Sequence, residues 1–127
     1  MNAAFDIDDT IKKDPKFFSM MSKTIRDNGG RVIIMTTRTD DRAVRKHTQE
    51  ELKSYDVVYD ELILLPNSGS PNQEQCPHEH LDWYQRYLWQ KVKLCLDNDV
   101  NIVFDDDIKT VDLFKSLAPH ILVFQPR

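Results

Sequence analysis

Closely spaced carboxylates follow a short apolar run almost at the beginning of this sequence. The run Ala3-Ala4-Phe5 leads into Asp6-Ile7-Asp8-Asp9-Thr10. Because successive side chains of an extended chain alternate between its two sides, Asp6 and Asp8 point the same way. Two carboxylates held this close repel each other unless a cation or a proton lies between them. The stretch therefore indicates either a charged site or a solvated turn in which Thr10 caps a helix.

Two further polar groups follow apolar runs later in the chain. Thr36-Thr37-Arg38 follows the run 31–35, and Asp105-Asp106-Asp107 follows the run 101–104. Each run is nearly continuous in apolar residues, which is typical of a strand that is buried on both faces. The polar residues then mark the point at which each strand leaves the core.

The whole chain alternates between such runs and stretches with the spacing of amphipathic helices. We predict five strands: one that begins at Ala3, and those at residues 31–36, 61–65, 101–104 and 121–124. We predict four helices. The first begins at Asp14-Pro15 and ends at Gly29-Gly30, the second spans 40–54 with Thr39 or Asp40 as its cap, and the last two span 81–96 and 108–117. In the third helix the expected inward positions are Trp83, Tyr87, Leu88, Val92 and Leu96.

This alternation predicts an α/β fold in which helices cover both faces of a five-stranded parallel sheet, giving three layers. Ligands of such open sheets bind beyond the carboxyl ends of the strands. The acidic groups follow strands one and four, so four or five carboxylates converge if these strands are neighbours. The length of 127 residues corresponds to about one domain, and we take residues 1–127 as a single domain.

The bulk composition limits the classes of partner and compartment. The net charge is -4, with 17 basic and 21 acidic residues. The chain therefore lacks the excess of basic residues that would indicate general nucleic-acid binding. The two cysteines, Cys76 and Cys95, make no disulfide framework. No apolar run reaches the ~20 residues that span a bilayer, and the first residues lack the pattern of a signal peptide. We expect a cytoplasmic protein that does not bind membranes.

A cluster of carboxylates at the sheet edge requires a compensating cation. Oxygen ligands alone favour Mg²⁺ over softer metals. A carboxylate in such a cluster can attack phosphorus and form an aspartyl phosphate, and a second carboxylic acid can protonate the leaving oxygen. The charge on the phosphoryl group also requires a hydroxyl and a basic side chain. Thr36 supplies the hydroxyl, and several lysines are available as the cation.

At these positions the sequence resembles the haloacid-dehalogenase-like (HAD) superfamily. Phe5-Asp6-Ile7-Asp8-Asp9-Thr10 is similar to its first motif, a strand ending in Asp-x-Asp-x-Thr. Ile33-Ile34-Met35-Thr36 is similar to the second motif, a strand ending in Ser or Thr, and Val103-Phe104-Asp105-Asp106 to the fourth, an acidic pair after a strand. The likeness covers essentially the whole chain. It implies a HAD-like Rossmannoid fold with strand order 5-4-1-2-3.

The resemblance implies a Mg²⁺-dependent phosphatase and assigns roles by position. Asp6 would be the nucleophile, and Asp8 would be the acid for the leaving group and later the base for water. Asp6, the backbone carbonyl of Asp8, and Asp105 or Asp106 would hold Mg²⁺. Thr36 would bond a phosphate oxygen. The remaining polar residues at this edge are assigned to substrate contacts: Thr10, Thr37 and Arg38.

The third motif of the family is a lysine on or just before the helix that precedes the fourth strand. Lys91 lies 14 residues before Asp105, which is a suitable spacing. The predicted helix begins near Leu81, however, so Lys91 falls well inside it. We predict Lys91 as the phosphate-stabilising cation, with Lys93 and Arg86 as alternatives.

Many members of the family carry a cap domain after the first motif or after the third strand. Six residues separate Asp8 from Pro15 and 15 make up the loop 66–80, and both stretches are too short for a cap. We therefore predict a capless protein with an open site. By resemblance, its substrate is a phosphorylated small molecule such as a nucleotide, or the phosphorylated end of a nucleic acid. Alternatively, a second subunit of a homo-oligomer covers the site in place of a cap.

Two other classes of protein have similar sequence patterns of strands and acidic residues. A receiver-like regulatory domain carries its phosphoacceptor aspartate at the end of the third strand, where this chain has Leu65-Pro66. A non-catalytic phosphate- or protein-binding relative on the same fold should lack the nucleophile or the acid, whereas this chain keeps both Asp6 and Asp8. The phosphatase interpretation is therefore favoured over both alternatives.

Overall fold

A computed structural model of the chain describes residues 1–65 and 75–126. All five strands of its sheet are parallel, in the order β3-β2-β1-β4-β5. The strands are β1 (Ala3–Phe5), β2 (Val32–Thr36), β3 (Glu61–Leu64), β4 (Ile102–Phe104) and β5 (Leu122–Phe124). The helices are α1 (Pro15–Asp27), α2 (Arg42–Ser54), α3 (Trp83–Asp97) and α4 (Ile108–Leu117), with a 3-10 helix at Ile11–Lys13. The predicted α/β architecture is confirmed, including the strand order.

The helices lie in two layers because neighbouring side chains of each strand point to opposite faces of the sheet. On one face, Phe5 of β1 packs in the same buried cluster as Phe18 of α1 and Leu52 of α2. On the other face, Ala4 belongs to a cluster with Leu88 of α3 and with residues of α4. Both faces of the central strands are thus covered, which explains why their sequences are apolar throughout.

Helix α1 begins as the sequence predicts. The side chain of Asp14 accepts a hydrogen bond from the backbone N–H of Phe17, and Pro15 occupies the first helical turn. The predicted cap of α2 is wrong by one or two residues. Asp41, not Thr39 or Asp40, accepts from the N–H of Val44, and the helix starts at Arg42.

Two of the predicted inward positions of α3 are also wrong. Trp83 and Leu96 are exposed, whereas Leu88, Val92 and Cys95 are buried. Since an α-helix turns every 3.6 residues, the buried stripe moves from residue 92 to residue 95 rather than to residue 96. Trp83 is the first residue after the cap Asp82 and lies at the open end of the helix.

Most of the predicted loop 66–80 lies outside the described residues, which resume at Gln75. Among the helices of the described part of the chain, none combines the length and the apolar character needed to cross a membrane.

Candidate functional site

The parallel register of β1 and β4 places two acidic residues side by side. Phe5 pairs with Phe104, so the next residues along the two strands, Asp6 and Asp105, are neighbours. The backbone N–H of Asp6 donates to the carbonyl of Phe104, at 2.9 Å, and that of Asp105 donates to Phe124, at 3.1 Å. The adjacency of strands one and four, on which the sequence argument depended, is confirmed.

Asp6, Asp105 and Asp106 form a buried group that we call the acidic cluster. Each residue offers one carboxylate oxygen, and these oxygens lie within 4.8 Å of one another. Asp6 and Asp105 are buried, and Asp106 is half-buried. Because buried carboxylates need a compensating charge, this donor set could hold a metal ion. The donors are all oxygens, which suits a hard cation.

Lys91 contributes a positive charge to the acidic cluster from the middle of α3. Its Nζ lies 2.6 Å from Oδ2 of Asp105 and 3.3 Å from Oδ1 of Asp6. Burial would lower the pKa of Lys91, but the two carboxylates outweigh burial and raise the pKa above its ordinary value. Lys91 is therefore an ammonium ion, and it reaches the site from inside the helix because it lies among the buried residues of α3.

One ammonium does not neutralise three carboxylates. Burial raises the pKa of Asp6 to about 8; Lys91 opposes the rise, and Asp105 and Asp106 add to it. In this arrangement Asp6 is largely protonated near neutral pH. A divalent cation among the same oxygens would favour its ionised form, so the electrostatics of the cluster fit a bound metal.

Thr10 lies on the other side of the acidic cluster. Its hydroxyl oxygen is 3.3 Å from Oδ2 of Asp6 and 3.4 Å from Oδ1 of Asp106. The chain turns back at this point: Asp9 has a φ of 58°, and the N–H of Thr10 donates to the carbonyl of Ile7. Asp is among the residues that tolerate this left-handed conformation. The turn thus brings Thr10 into the site.

Asp8 belongs to a second group of charges, which we call the arginine cluster: Asp8, Arg38 and Glu51. The guanidinium of Arg38 donates to both oxygens of Asp8, at 2.9 and 3.1 Å. It also donates to both oxygens of Glu51, at 3.0 and 3.3 Å, and to the hydroxyl of Thr48. These bonds lower the pKa of Asp8 and raise that of Arg38.

The two threonines at the end of β2 have different environments. Thr36 is buried, and its Oγ1 accepts a hydrogen bond from the backbone N–H of Arg38 at 3.2 Å. An accepting hydroxyl still carries its own hydrogen as a donor. Thr37 is exposed, and its carbonyl accepts from the hydroxyl of Tyr87 on α3 at 3.4 Å.

The alternatives to Lys91 make other contacts. Lys93 is exposed and pairs with Asp97, and the Nε of Arg86 donates to the carbonyl of Leu81. The structure thus brings together Asp6, Asp105, Asp106, Lys91 and Thr10, and it places Asp8 with Arg38. The catalytic and metal-binding roles of these residues remain predictions.

Sequence reasoning missed Glu51 and Thr48, which hold Arg38 in place. Both lie on one face of α2, three residues apart, and both are covered by surrounding structure. This helix is rich in charged residues, so nothing in its sequence distinguishes the glutamate that contacts Arg38 from the exposed Glu50 beside it.

No protein-family model and no curated protein matches the sequence. Two solved structures are similar in fold: one of a Pnkp1/Rnl/Hen1 complex, with a TM-score of 0.65, and one of the Pnkp1/Rnl/Hen1 RNA repair complex, with a TM-score of 0.64. In both cases the identity is 19% and the match covers 98% of this chain. It spans 45% and 41% of the neighbours' chains. At this identity the likeness supports the fold alone.

Proposed function

We propose that the protein is a Mg²⁺-dependent phosphatase of the HAD type that works through an aspartyl phosphate on Asp6. One observation carries this proposal: Asp6 lies at the end of β1 within one buried cluster that holds two other carboxylates and Lys91. A solvated turn would leave Asp6 exposed. A group of this kind has the nucleophile, the cation and the metal donors that phosphoryl transfer requires.

In the first step, a carboxylate oxygen of Asp6 attacks phosphorus and the bond from phosphorus to the ester oxygen breaks. The departing oxygen takes a proton from Asp8. In the second step, water attacks the phosphorus of the aspartyl phosphate, Asp8 takes the proton of that water, and the bond to Asp6 breaks. The products are the free alcohol and inorganic phosphate, and both aspartates return to their starting state.

Lys91 and the threonine hydroxyls would disperse the charge on the phosphoryl oxygens. Lys91 is held by two carboxylates and buried, so its ammonium is fixed in position before a substrate arrives. Asp6, Asp105 and Asp106 would hold the Mg²⁺, together with the backbone carbonyl of Asp8. The ion would supply positive charge that orients the phosphate and offsets the repulsion among the carboxylates.

Arg38 would exchange partners when a substrate binds. In the structure it donates to both oxygens of Asp8, and because these bonds lower the pKa of Asp8, the aspartate stays ionised and has no proton to give. A guanidinium also binds phosphate with two parallel hydrogen bonds. We propose that a bound phosphate attracts Arg38 and releases Asp8 for its role as the acid, while Glu51 keeps the guanidinium near the site.

We propose the phosphorylated end of a nucleic acid, or a nucleotide, as the substrate. Between β1 and α1 the structure places only a turn and the 3-10 helix Ile11–Lys13, so a large substrate can approach this edge from that side. One of the similar folds comes from a complex described as an RNA repair complex, which supports a nucleic-acid substrate. Since the match spans less than half of those chains, this choice of substrate needs its own test.

The experiment is a screen of phosphate esters with and without Mg²⁺, from p-nitrophenyl phosphate and sugar phosphates to 3′- and 5′-phosphorylated oligonucleotides. We expect Mg²⁺-dependent release of phosphate by the wild type. Asp6→Asn should lower kcat by about four orders of magnitude or more, as loss of a nucleophile does elsewhere.

Asp9→Asn is the matched control, because Asp9 is exposed and Asn tolerates its positive φ. It should keep the wild-type rate. Hydrolysis that is unchanged in Asp6→Asn would contradict the role of Asp6 as the nucleophile. Binding of phosphate esters without any release would favour a non-catalytic binding protein instead.

A further inference from the structure

A pocket beside the acidic cluster is lined by aromatic rings that have no part in the chemistry described above. Its volume is about 440 Å³. Phe17 of α1, Phe104 of β4 and Phe124 of β5 are among its lining residues. The ring of Phe104 contacts both of the others, with ring centroids at 6.1 Å from Phe17 and 5.3 Å from Phe124. Phe104 thus lies between the two rings.

Phe124 is the most exposed of the phenylalanines that line this pocket. It stacks on Phe104 at an angle of 21°, and yet 48% of the residue is exposed. This exposure is consistent with the fold, because β5 is an edge strand of the sheet. An aromatic ring with one face packed and the other open is a stacking platform for another planar ring.

Two lining residues of the pocket also contact residues of the acidic cluster. Thr10 lines the pocket, and its hydroxyl contacts both Asp6 and Asp106. Gln125 also lines it, and its side-chain amide donates to the backbone carbonyl of Asp106 at 3.1 Å. A molecule bound in the pocket therefore lies next to the acidic cluster, where the phosphate would react.

The polar groups at the pocket suit a nucleotide better than an apolar partner. Lys13 lines the pocket and brings a cation, and Gln125 brings both a donor and an acceptor. The carboxylate of Asp14 already accepts a hydrogen bond, because it caps α1 by accepting from the N–H of Phe17. The pocket thus combines ring faces for stacking with groups that can bond a base edge or a second phosphate.

We infer that this pocket binds the nucleobase of the nucleotide that carries the phosphate to be removed, with Phe124 as its stacking platform. The inference rests on the proposed function and makes it more specific. It implies that the protein selects base-bearing phosphate esters over base-free ones. It also assigns to Phe124 a role in specificity, separate from the chemistry at Asp6.

The test compares adenosine 3′- and 5′-monophosphate with the matching ribose phosphates, which lack the base. We expect the wild type to have a kcat/KM about tenfold higher for the adenosine compounds, at the low end of what a stacked base contributes. Phe124→Ala should reduce this ratio to about one. Phe124→Leu keeps apolar volume without a ring and should reduce it as well, whereas Phe124→Tyr should preserve it.

Leu122→Ala is the matched control. Leu122 lies on the same strand and the same face as Phe124, is 59% exposed, and is not a lining residue of the pocket. It should keep the tenfold preference. Equal ratios in the wild type and in Phe124→Ala would overturn the inference and leave the proposed phosphatase intact.

A binding measurement separates the failure of this inference from the failure of the proposed function. In the Asp6→Asn background, calorimetry should show adenosine monophosphate binding about tenfold more tightly than ribose phosphate, with the difference lost on adding Phe124→Ala. If no compound is hydrolysed by the wild type but this difference is present, the phosphatase is wrong and the base site stands. If the difference is absent, or if Phe124→Ala only changes the oligomeric mass, the pocket is not a base site.

Discussion

The acidic cluster and the arginine cluster lie at the same edge of the sheet and use the same types of residue, but their charges balance differently. The acidic cluster sets three carboxylates against the single ammonium of Lys91, and Asp6 and Asp105 are buried. The arginine cluster sets Asp8 and Glu51 against Arg38, with Lys12 within 4 Å of both carboxylates. The first has an excess of negative charge, and the second is close to neutral.

This difference indicates which cluster has balanced charges and which can take up a cation. In the arginine cluster every carboxylate is hydrogen-bonded, and the pKa of Asp8 is lowered as expected for a satisfied ion pair. In the acidic cluster the pKa of Asp6 is raised to about 8, mainly by burial. Because the ionised form of Asp6 is disfavoured, a bound cation would change the protonation of this cluster more than that of the arginine cluster. The acidic cluster is therefore the better candidate for binding a cation and a phosphate.

Removal of Lys91 should have the largest effect on stability. Lys91→Ala leaves Asp6 and Asp105 buried without their cation, which typically costs about 3–5 kcal/mol. Urea unfolding with EDTA measures this loss, and saturating Mg²⁺ should restore part of it. Lys93→Ala is the control, because Lys93 and Asp97 form an exposed pair and such pairs contribute about 0–1 kcal/mol. Equal losses in the two variants would contradict the importance of the acidic cluster.

The pH dependence of stability should reveal the raised pKa of Asp6. Since the folded protein holds this proton up to about pH 8, whereas the ordinary pKa is 3.8, the folded state binds more protons than the unfolded state between these values. Stability measured in EDTA should therefore fall as the pH rises through this window.

Bound Mg²⁺ should reduce that dependence, because it favours the ionised form of Asp6. Urea midpoints at several pH values, with EDTA and with Mg²⁺, test this expectation. Asp6→Asn removes the titrating group and should give a flatter profile in EDTA than the wild type does. A profile in EDTA that is as steep in Asp6→Asn as in the wild type would assign the pH dependence to another group.

Glu51 is expected to act as a positioning residue for Arg38, with a smaller effect. Glu51→Gln weakens two charge-assisted hydrogen bonds, and we expect kcat/KM to fall about tenfold, mainly through a higher KM, because Arg38 is less well held for phosphate. Glu50→Gln is the control on the same helix, since Glu50 is exposed. Equal kinetics for Glu51→Gln and wild type would show that Arg38 needs no such support.

The smallest effect should come from the arginine cluster at low pH. Arg38 lowers the pKa of Asp8, and it also lowers that of Glu51 against the opposing effect of burial. Both groups therefore stabilise the fold above their ordinary pKa values, and this contribution is lost as the pH falls through their folded-state values. Glu51→Gln should make the acid unfolding transition less steep, whereas Glu50→Gln should not.

The sequence was sufficient to predict the parallel sheet and the proximity of Asp6 to Asp105 and Asp106, and the reason is physical. Continuous apolar runs report a parallel sheet covered on both faces, and the polar residues that end them must meet at one edge. The reach of Lys91 and the partners of Asp8 depend on how helices pack across the sheet. From the sequence, the side chain of Asp8 was expected to act as the acid and its backbone carbonyl to hold the metal. In the structure that side chain is bonded to Arg38, which follows β2 and also bonds Glu51 of α2.

Local errors had local causes. The cap of α2 was misplaced because Thr39, Asp40 and Asp41 are all good capping residues, and only the backbone geometry selects Asp41. The aromatic pocket could not be predicted, since Phe17, Phe104 and Phe124 lie on three separate elements and each reads as a core residue in sequence.

The most direct test of the central claim is to trap the phosphoryl group on Asp6. In Asp8→Asn, p-nitrophenyl phosphate should still transfer its phosphoryl group, because its leaving group departs without a proton, but hydrolysis should be slow. With Mg²⁺ we predict a burst of about one equivalent of nitrophenolate. After treatment with borohydride, peptide mass spectra should show that the acyl phosphate at Asp6 has been reduced. Turnover without a burst and without reduction at Asp6, or reduction at Asp105 or Asp106 instead, would contradict this account.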